Sequence, residues 1–254
     1  MGVVSRTTPT CLPDGRPPPM HAHHERHYFR SVSRELDLLR FGYSGRPVII
    51  FPTTLGRYYE AKDMGLVGSV AHLVEEGRAI LYCPDTLNHQ SWYDRSLHPA
   101  DKVRTHAAYD RMLRDELVPM LQQRHHTHHV IAAGCSFGGY TAANFAFKHP
   151  DVVSDLITMS GSFDIRSFLQ GYYDEEVYFN NPVDFIGQAD HPRLWELGIV
   201  LGTSEWDICR PATQRMSDLL TAKGIHHWLD VRGWVEHDWP LWREMFPAYL
   251  GRVV

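Results

Sequence analysis

Cysteine is scarce in this chain, long apolar runs are missing, and neither sign of charge dominates. The four cysteines, Cys11, Cys83, Cys135 and Cys209, are scattered and form no CxxC pair. That argues against a disulfide framework or a zinc site, and for a reducing, cytoplasmic setting. No apolar run reaches the roughly 18 residues a membrane span needs. Residues 1–20 contain no apolar core of the kind a secretory signal requires. Ser5 and Arg6 also stand one place out of register for N-myristoylation. The 25 basic and 30 acidic residues leave a net charge of −5 with no basic stripe, so neither nucleic acid nor a membrane is expected as a partner.

The remaining composition, 43% hydrophobic and 22% charged over 254 residues, suits one α/β domain of ordinary globular type. Residues 1–20 are rich in Pro, Gly, Thr and Arg and read as a disordered tail, leaving a single domain over 21–254. Segments 28–32 and 36–41 read as an antiparallel hairpin at a sheet edge. After it, short β-branched runs at 47–51, 79–83, 129–134, 156–159, 198–202 and 227–231 suit strands buried on both faces. Helical patterns fill the gaps at 64–76, 101–124, 137–149, 211–223 and 240–250. Pro119 should kink or shorten the second of these, and Gly251 should close the last. This alternation predicts a doubly wound, mostly parallel sheet with helices on both faces and right-handed crossovers. Residues 162–196 interrupt it with aromatic and Asn-rich sequence, which suggests a small insertion over the functional edge.

The informative run is Gly134-Cys135-Ser136-Phe137-Gly138-Gly139, placed directly after one predicted strand and directly before a helix. A G-x-S-x-G turn in that context holds its serine in a strained conformation with the hydroxyl exposed. The following helix N-terminus offers unpaired N–H groups where negative charge develops. A serine hydroxyl becomes a nucleophile when a histidine takes its proton and a carboxylate fixes that histidine's tautomer. In this strand order the acid belongs after a late strand and the histidine after the last one. Asp207 lies in Thr203-Ser204-Glu205-Trp206-Asp207 after the 198–202 strand, and His237 follows the 227–231 strand. Glu205 is a rival for the acid, and His226 and His227 are weaker rivals for the base. Oxyanion donors are expected from the Phe137 amide and from Thr53 or Thr54, with Thr54 preferred. The loop after the 79–83 strand reaches the ligand-binding edge of an open α/β sheet, so Gln90, Trp92 and Tyr93 are candidate substrate contacts. Packing beneath the loop is an equal reading for the two aromatics. The 17 histidines cluster at 21–27 and 125–129 without ligand spacing, and no metal or cofactor is expected.

The elbow GCSFGG, the acid segment LGTSEWD and the terminal GWVEHDWPLWREMFPAYL together resemble the esterase family of the α/β-hydrolase superfamily. That family includes S-formylglutathione hydrolases, enterochelin-type and feruloyl esterases, and mycolyl transferases. The run His237-x-Trp239-x-x-Trp242 is its more specific piece. The resemblance implies an α/β-hydrolase fold with Ser136, Asp207 and His237 as nucleophile, acid and base. It implies hydrolysis of a small-molecule carboxylic ester through an acyl-enzyme. Two alternatives are acyl transfer from the same intermediate and a non-catalytic binding protein that keeps the fold. The loop FPTTLG departs from the glutathione-thioester enzymes, so no substrate carries over, and association into a homo-oligomer is left open.

Overall fold

A computed structural model describes residues 20–254; the expected tail lies outside the described residues apart from Met20. The hairpin comes first, as β1 (Ala22–Phe29) and β2 (Arg34–Phe41). Its first strand starts and ends earlier than the sequence suggested, because the turn falls at Arg30–Val32 with Ser33 in the left-handed region at φ 50°. Then come β3 (Arg46–Phe51), three short helices α1 (Glu60–Asp63), α2 (Leu66–Ser69) and α3 (Ala71–Glu75), and β4 (Ala79–Pro84). Next are α4 (Pro99–Met112), α5 (Val118–His125), β5 (Val130–Cys135), α6 (Phe137–Lys148) and β6 (Val153–Met159). The chain ends through α7 (Glu175–Tyr178), α8 (Pro182–Phe185), β7 (Gly198–Ser204), α9 (Arg210–Lys223), β8 (Trp228–Arg232) and α10 (Trp239–Val253).

The eight strands form one sheet in the order β1-β2-β4-β3-β5-β6-β7-β8. The β1–β2 and β2–β4 pairs are antiparallel, and every later pair is parallel. This is the α/β-hydrolase fold. Side chains alternate between two cores. Ile49, Phe51, Val130 and Ala132 face a layer made by α4, α5, α6 and α9. Val48, Ile50, Ile131 and Ala133 face α1, α2, α3 and α10. With both faces covered, the central strands β3, β4 and β5 have no solvated side, which explains their continuous apolar runs.

Three expected helices differ. The 64–76 helix is broken because Gly65 adopts φ 77° and Val70 leaves helical geometry. The 101–124 helix does not stop at Pro119. It passes through a π-helical turn at Leu113–Leu117, a wider turn of the kind that accommodates local disruption of the i→i−4 ladder near a proline. Gly251 does not close the last helix, which continues to Val253. Gly251 is absent from the left-handed glycines, and without that conformation a glycine ends nothing. Between β6 and β7, α7 and α8 pack through buried Val177, Val183 and Phe185. Among the described residues no helix is long and apolar enough to cross a membrane.

Candidate active site

Parallel strands all point one way, so the loops leaving β3, β5, β7 and β8 meet at one edge of the sheet. At the end of β5 the chain turns into α6 through a single residue, Ser136, at φ 53° and ψ −121°. A non-glycine residue with positive φ is strained and is kept only where its surroundings over-determine it. Those surroundings are backbone. A Cβ on Gly134 would lie 2.2 Å from the Gly138 carbonyl oxygen, and one on Gly138 would lie 2.3 Å from that of Phe51. Only glycine lets β3, β5 and α6 approach this closely.

His237 sits in the loop after β8 with Nε2 2.9 Å from Ser136 Oγ and Nδ1 2.7 Å from Asp207 Oδ1. Three residues far apart in sequence are thus joined in one hydrogen-bonded line. The Asp207 side chain is wholly buried and that of His237 is 15% exposed. Asp207 accepts further hydrogen bonds from the Cys209 amide at 2.8 Å and the Thr203 hydroxyl at 3.1 Å. Burial alone raises its pKa, but the hydrogen bonds from His237, the Ser160 hydroxyl and the Cys209 amide outweigh it and hold the carboxyl below its usual range. Burial likewise depresses His237. The neighbouring Asp207 carboxylate and Cys209 thiol outweigh that, and its pKa is raised to about 9. Trp242 stands edge-on to the imidazole at 5.1 Å and donates its indole N–H to Ser160 Oγ at 2.8 Å. The loop that carries His237 is fastened to β7 where the Ser204 hydroxyl donates to the Val235 carbonyl.

The rivals fall elsewhere. Glu205 pairs with Arg210, and His227 bonds Ser217 Oγ at 2.7 Å. In the loop after β3, Glu60 accepts from both the Thr53 amide at 2.8 Å and the Thr53 hydroxyl at 2.7 Å. Thr53 therefore has no free donor. Among the described residues the Thr54 and Phe137 amides have no acceptor. The sequence reading missed Glu60, and also the Arg57–Asp85 pair (2.6 Å), half-exposed at Arg57 and buried at Asp85, which ties this loop to the end of β4. Asp85 lies next to a predicted strand end, but no spacing rule links Glu60 or Arg57 to the partners they meet.

The three candidate substrate contacts separate. Tyr93 packs edge-on against Phe137 at 5.4 Å, next to Ser136. Trp92 is buried beneath it, against His106, Tyr140 and Phe168, and belongs to the packing rather than to the site surface. Gln90 is held by Arg34 and by His89 at 3.0 Å, at the start of β2. Cys209 was not foreseen. With Asp207 and His237 it presents donor atoms that all lie within 4.8 Å of one another, the set among the described residues best placed to hold a metal ion. Two of those donors already bond each other. Exposed Trp206 and Trp234, 5.5 Å apart, flank the acid and base loops.

A family model described as "Putative esterase" matches residues 64–253 of the chain. Among solved structures, a ferulic acid esterase superposes with a TM-score of 0.72 at 16% identity, covering 92% of this chain and 98% of that one. An S-formylglutathione hydrolase from Agrobacterium tumefaciens gives a TM-score of 0.71 at 15% identity, over 99% and 98% of the two chains. A fluorophosphonate-binding serine hydrolase of Staphylococcus aureus gives 0.73 at 12% identity, over 92% and 98%. No curated protein matches by sequence.

Proposed function

Because the chain belongs to this esterase family, and is a carboxylic ester hydrolase, we propose that it cleaves its substrate with Ser136 as nucleophile, His237 as base and Asp207 as the acid that orients His237. The observation that carries this reading is the unbroken line Asp207–His237–Ser136, with both contacts at hydrogen-bond length. His237 Nε2 takes the Ser136 proton as Oγ bonds the acyl carbon, and the carbonyl π pair moves to oxygen. The resulting oxyanion is met by the Phe137 and Thr54 amides, which have no other acceptor to satisfy. As the tetrahedral species collapses, the C–O bond to the alcohol breaks and His237 returns the proton to the leaving oxygen. Water then attacks the acyl-Ser136 ester with its proton passing to His237, and the acid leaves as Ser136 is re-protonated.

Asp207 supports the step in two ways. Its hydrogen bond keeps the Nδ1 proton in place, so that Nε2 offers a lone pair to the serine, and its charge stabilises the imidazolium that forms. The partner of this reading is a small-molecule ester. Its setting is the cytoplasm, where the free thiols of Cys83, Cys135 and Cys209 stay reduced. Turnover of 4-nitrophenyl acetate by Ser136→Ala tests the central assignment. The expected loss is about 10⁴-fold or more, and turnover within tenfold of the wild type in a folded sample contradicts it.

A further inference from the structure

Beside the nucleophile lies a cavity of about 390 Å³ that the triad does not use. Its wall includes Tyr93 and Phe168, and these two rings pack on Phe137 at 5.4 and 5.5 Å. They therefore separate the cavity from the residue next to Ser136. The polar lining is Arg95, Lys102, Ser167 and Gln170, with no carboxylate among the lining residues.

Lys102 is the unusual member. It is only 4% exposed, and among the described residues its ammonium has one partner, the Trp92 carbonyl, at 3.5 Å. It stands in the first turn of α4, where the positive end of the helix dipole disfavours a cation. Burial with most of its donor capacity unused is a second cost, since a buried charge is tolerated when it is paired and hydrogen-bonded. Neighbouring acids do not supply the pair. Asp94 is engaged by the Ser96 amide at 2.8 Å and hydroxyl at 2.6 Å, and Asp101 pairs with Arg104 at 2.7 Å. Arg95 is exposed and has no acidic partner among the described residues. Two cations therefore border one cavity beside the nucleophile: Arg95 without an acidic partner among the described residues, and Lys102 with the Asp94 carboxylate in electrostatic reach but not in an ion pair.

We propose that this cavity binds the anionic end, a carboxylate or a phosphate, of the ester that Ser136 cleaves. Lys102 and Arg95 supply the charge, and the Tyr93 and Phe168 rings, packed edge-on at 5.0 Å, form the wall over which the chain that joins the anion to the ester passes. This rests on the esterase reading above and extends it to a substrate class: esters carrying a negative group some atoms away from the scissile carbonyl.

The test compares 4-nitrophenyl hydrogen adipate with 4-nitrophenyl hexanoate, which match in acyl length and differ in the terminal charge. The wild type should favour the adipate ester at least tenfold in kcat/KM. That ratio should fall tenfold or more in Lys102→Met and about threefold or more in Arg95→Gln. Inorganic phosphate and free adipate, added as competitors, should each inhibit adipate-ester turnover, and the tighter of the two identifies the anion. A wild-type ratio near or below one overturns the proposal, as does an unchanged ratio in folded Lys102→Met. Should Lys102→Met fail to fold, an unchanged ratio in Arg95→Gln overturns it instead. Ser136→Ala separates this from the underlying reading. Turnover by that variant defeats the triad assignment, whereas calorimetric binding of adipate to it, lost on adding Arg95→Gln, supports the cavity independently.

Discussion

The loops that leave β5 and β4 start from the same edge of one sheet and are specified in different ways. After β5 the chain makes a one-residue turn, and Ser136 is fixed by contacts between backbones: Gly134 against Gly138, and Gly138 against Phe51. After β4 the chain runs on to Tyr93 and is fixed by side chains. Arg57 clasps Asp85 at 2.6 Å, Tyr109 donates to the Asp85 carbonyl at 2.8 Å, and Trp92 sinks among His106, Tyr140 and Phe168. A turn dictated by backbone sterics leaves a local mark in the sequence, namely glycines at fixed spacing. A loop dictated by packing leaves none, because its partners come from α4, α6 and the segment before α7.

Substitutions should treat the two regions differently. On the β5 side the effect belongs to chemistry. Replacing His237 with Ala removes the proton acceptor, and kcat on a 4-nitrophenyl ester should fall by about 10⁴-fold or more with little change in melting temperature. A loss below about tenfold would show that another group serves as base. Asp207→Asn keeps the shape but removes the charge, and should cost about 10³- to 10⁴-fold in kcat.

The pH profile sharpens the same point. His237 accepts a proton only when neutral and its pKa is raised to about 9, so kcat/KM should climb with pH and level off only above that value. In Asp207→Asn the inflection should move down toward the ordinary imidazole value of 6.5, because the carboxylate that stabilised the imidazolium is gone. A profile unmoved by Asp207→Asn would contradict the pairing.

On the β4 side the effect belongs to stability. Trp92→Ala removes a buried indole (1% exposed) and should destabilise the fold by about 3–5 kcal/mol, read from denaturant unfolding. Trp92→Phe should cost less than Trp92→Ala, because the void it leaves is smaller and the indole N–H has no acceptor among the described residues to lose. If Trp92→Phe instead abolished turnover while leaving stability intact, Trp92 would be a substrate contact and the contrast between the two loops would collapse. The smallest effect is expected at Tyr93. Its ring borders Phe137, and Tyr93→Ala should raise KM severalfold more than it lowers kcat, by steady-state kinetics.

The same contrast explains what was legible beforehand. The central β-branched runs became strands because a strand buried on both faces needs nothing but apolar residues, whereas the first hairpin strand was placed about six residues late, since its exposed, His-rich start at Ala22 carries no apolar signal. The order Ser136, Asp207, His237 could be read because each follows a strand whose position was already marked. The roles of Glu60 and Cys209 were hidden: Glu60 matters by closing on Thr53, and Cys209 by standing beside His237. Neither adjacency has a periodicity. Glycine as punctuation succeeded at Gly224, which closes its helix at φ 73°, and failed at Gly251, while the break at Gly65 was not expected. Gly65 does break its helix at φ 77°, whereas Gly251 lies inside one. Composition is the same in both cases, and only the tertiary setting decides the backbone conformation.

The account stands on Ser136 being the one hydroxyl made reactive by an oriented imidazole. Treating the folded protein with a fluorophosphonate and mapping the adduct by peptide mass spectrometry tests this most directly. A single adduct on Ser136, formed far more slowly in His237→Ala, is the predicted result. An adduct on a different residue, or none in a sample that still hydrolyses esters, would contradict it.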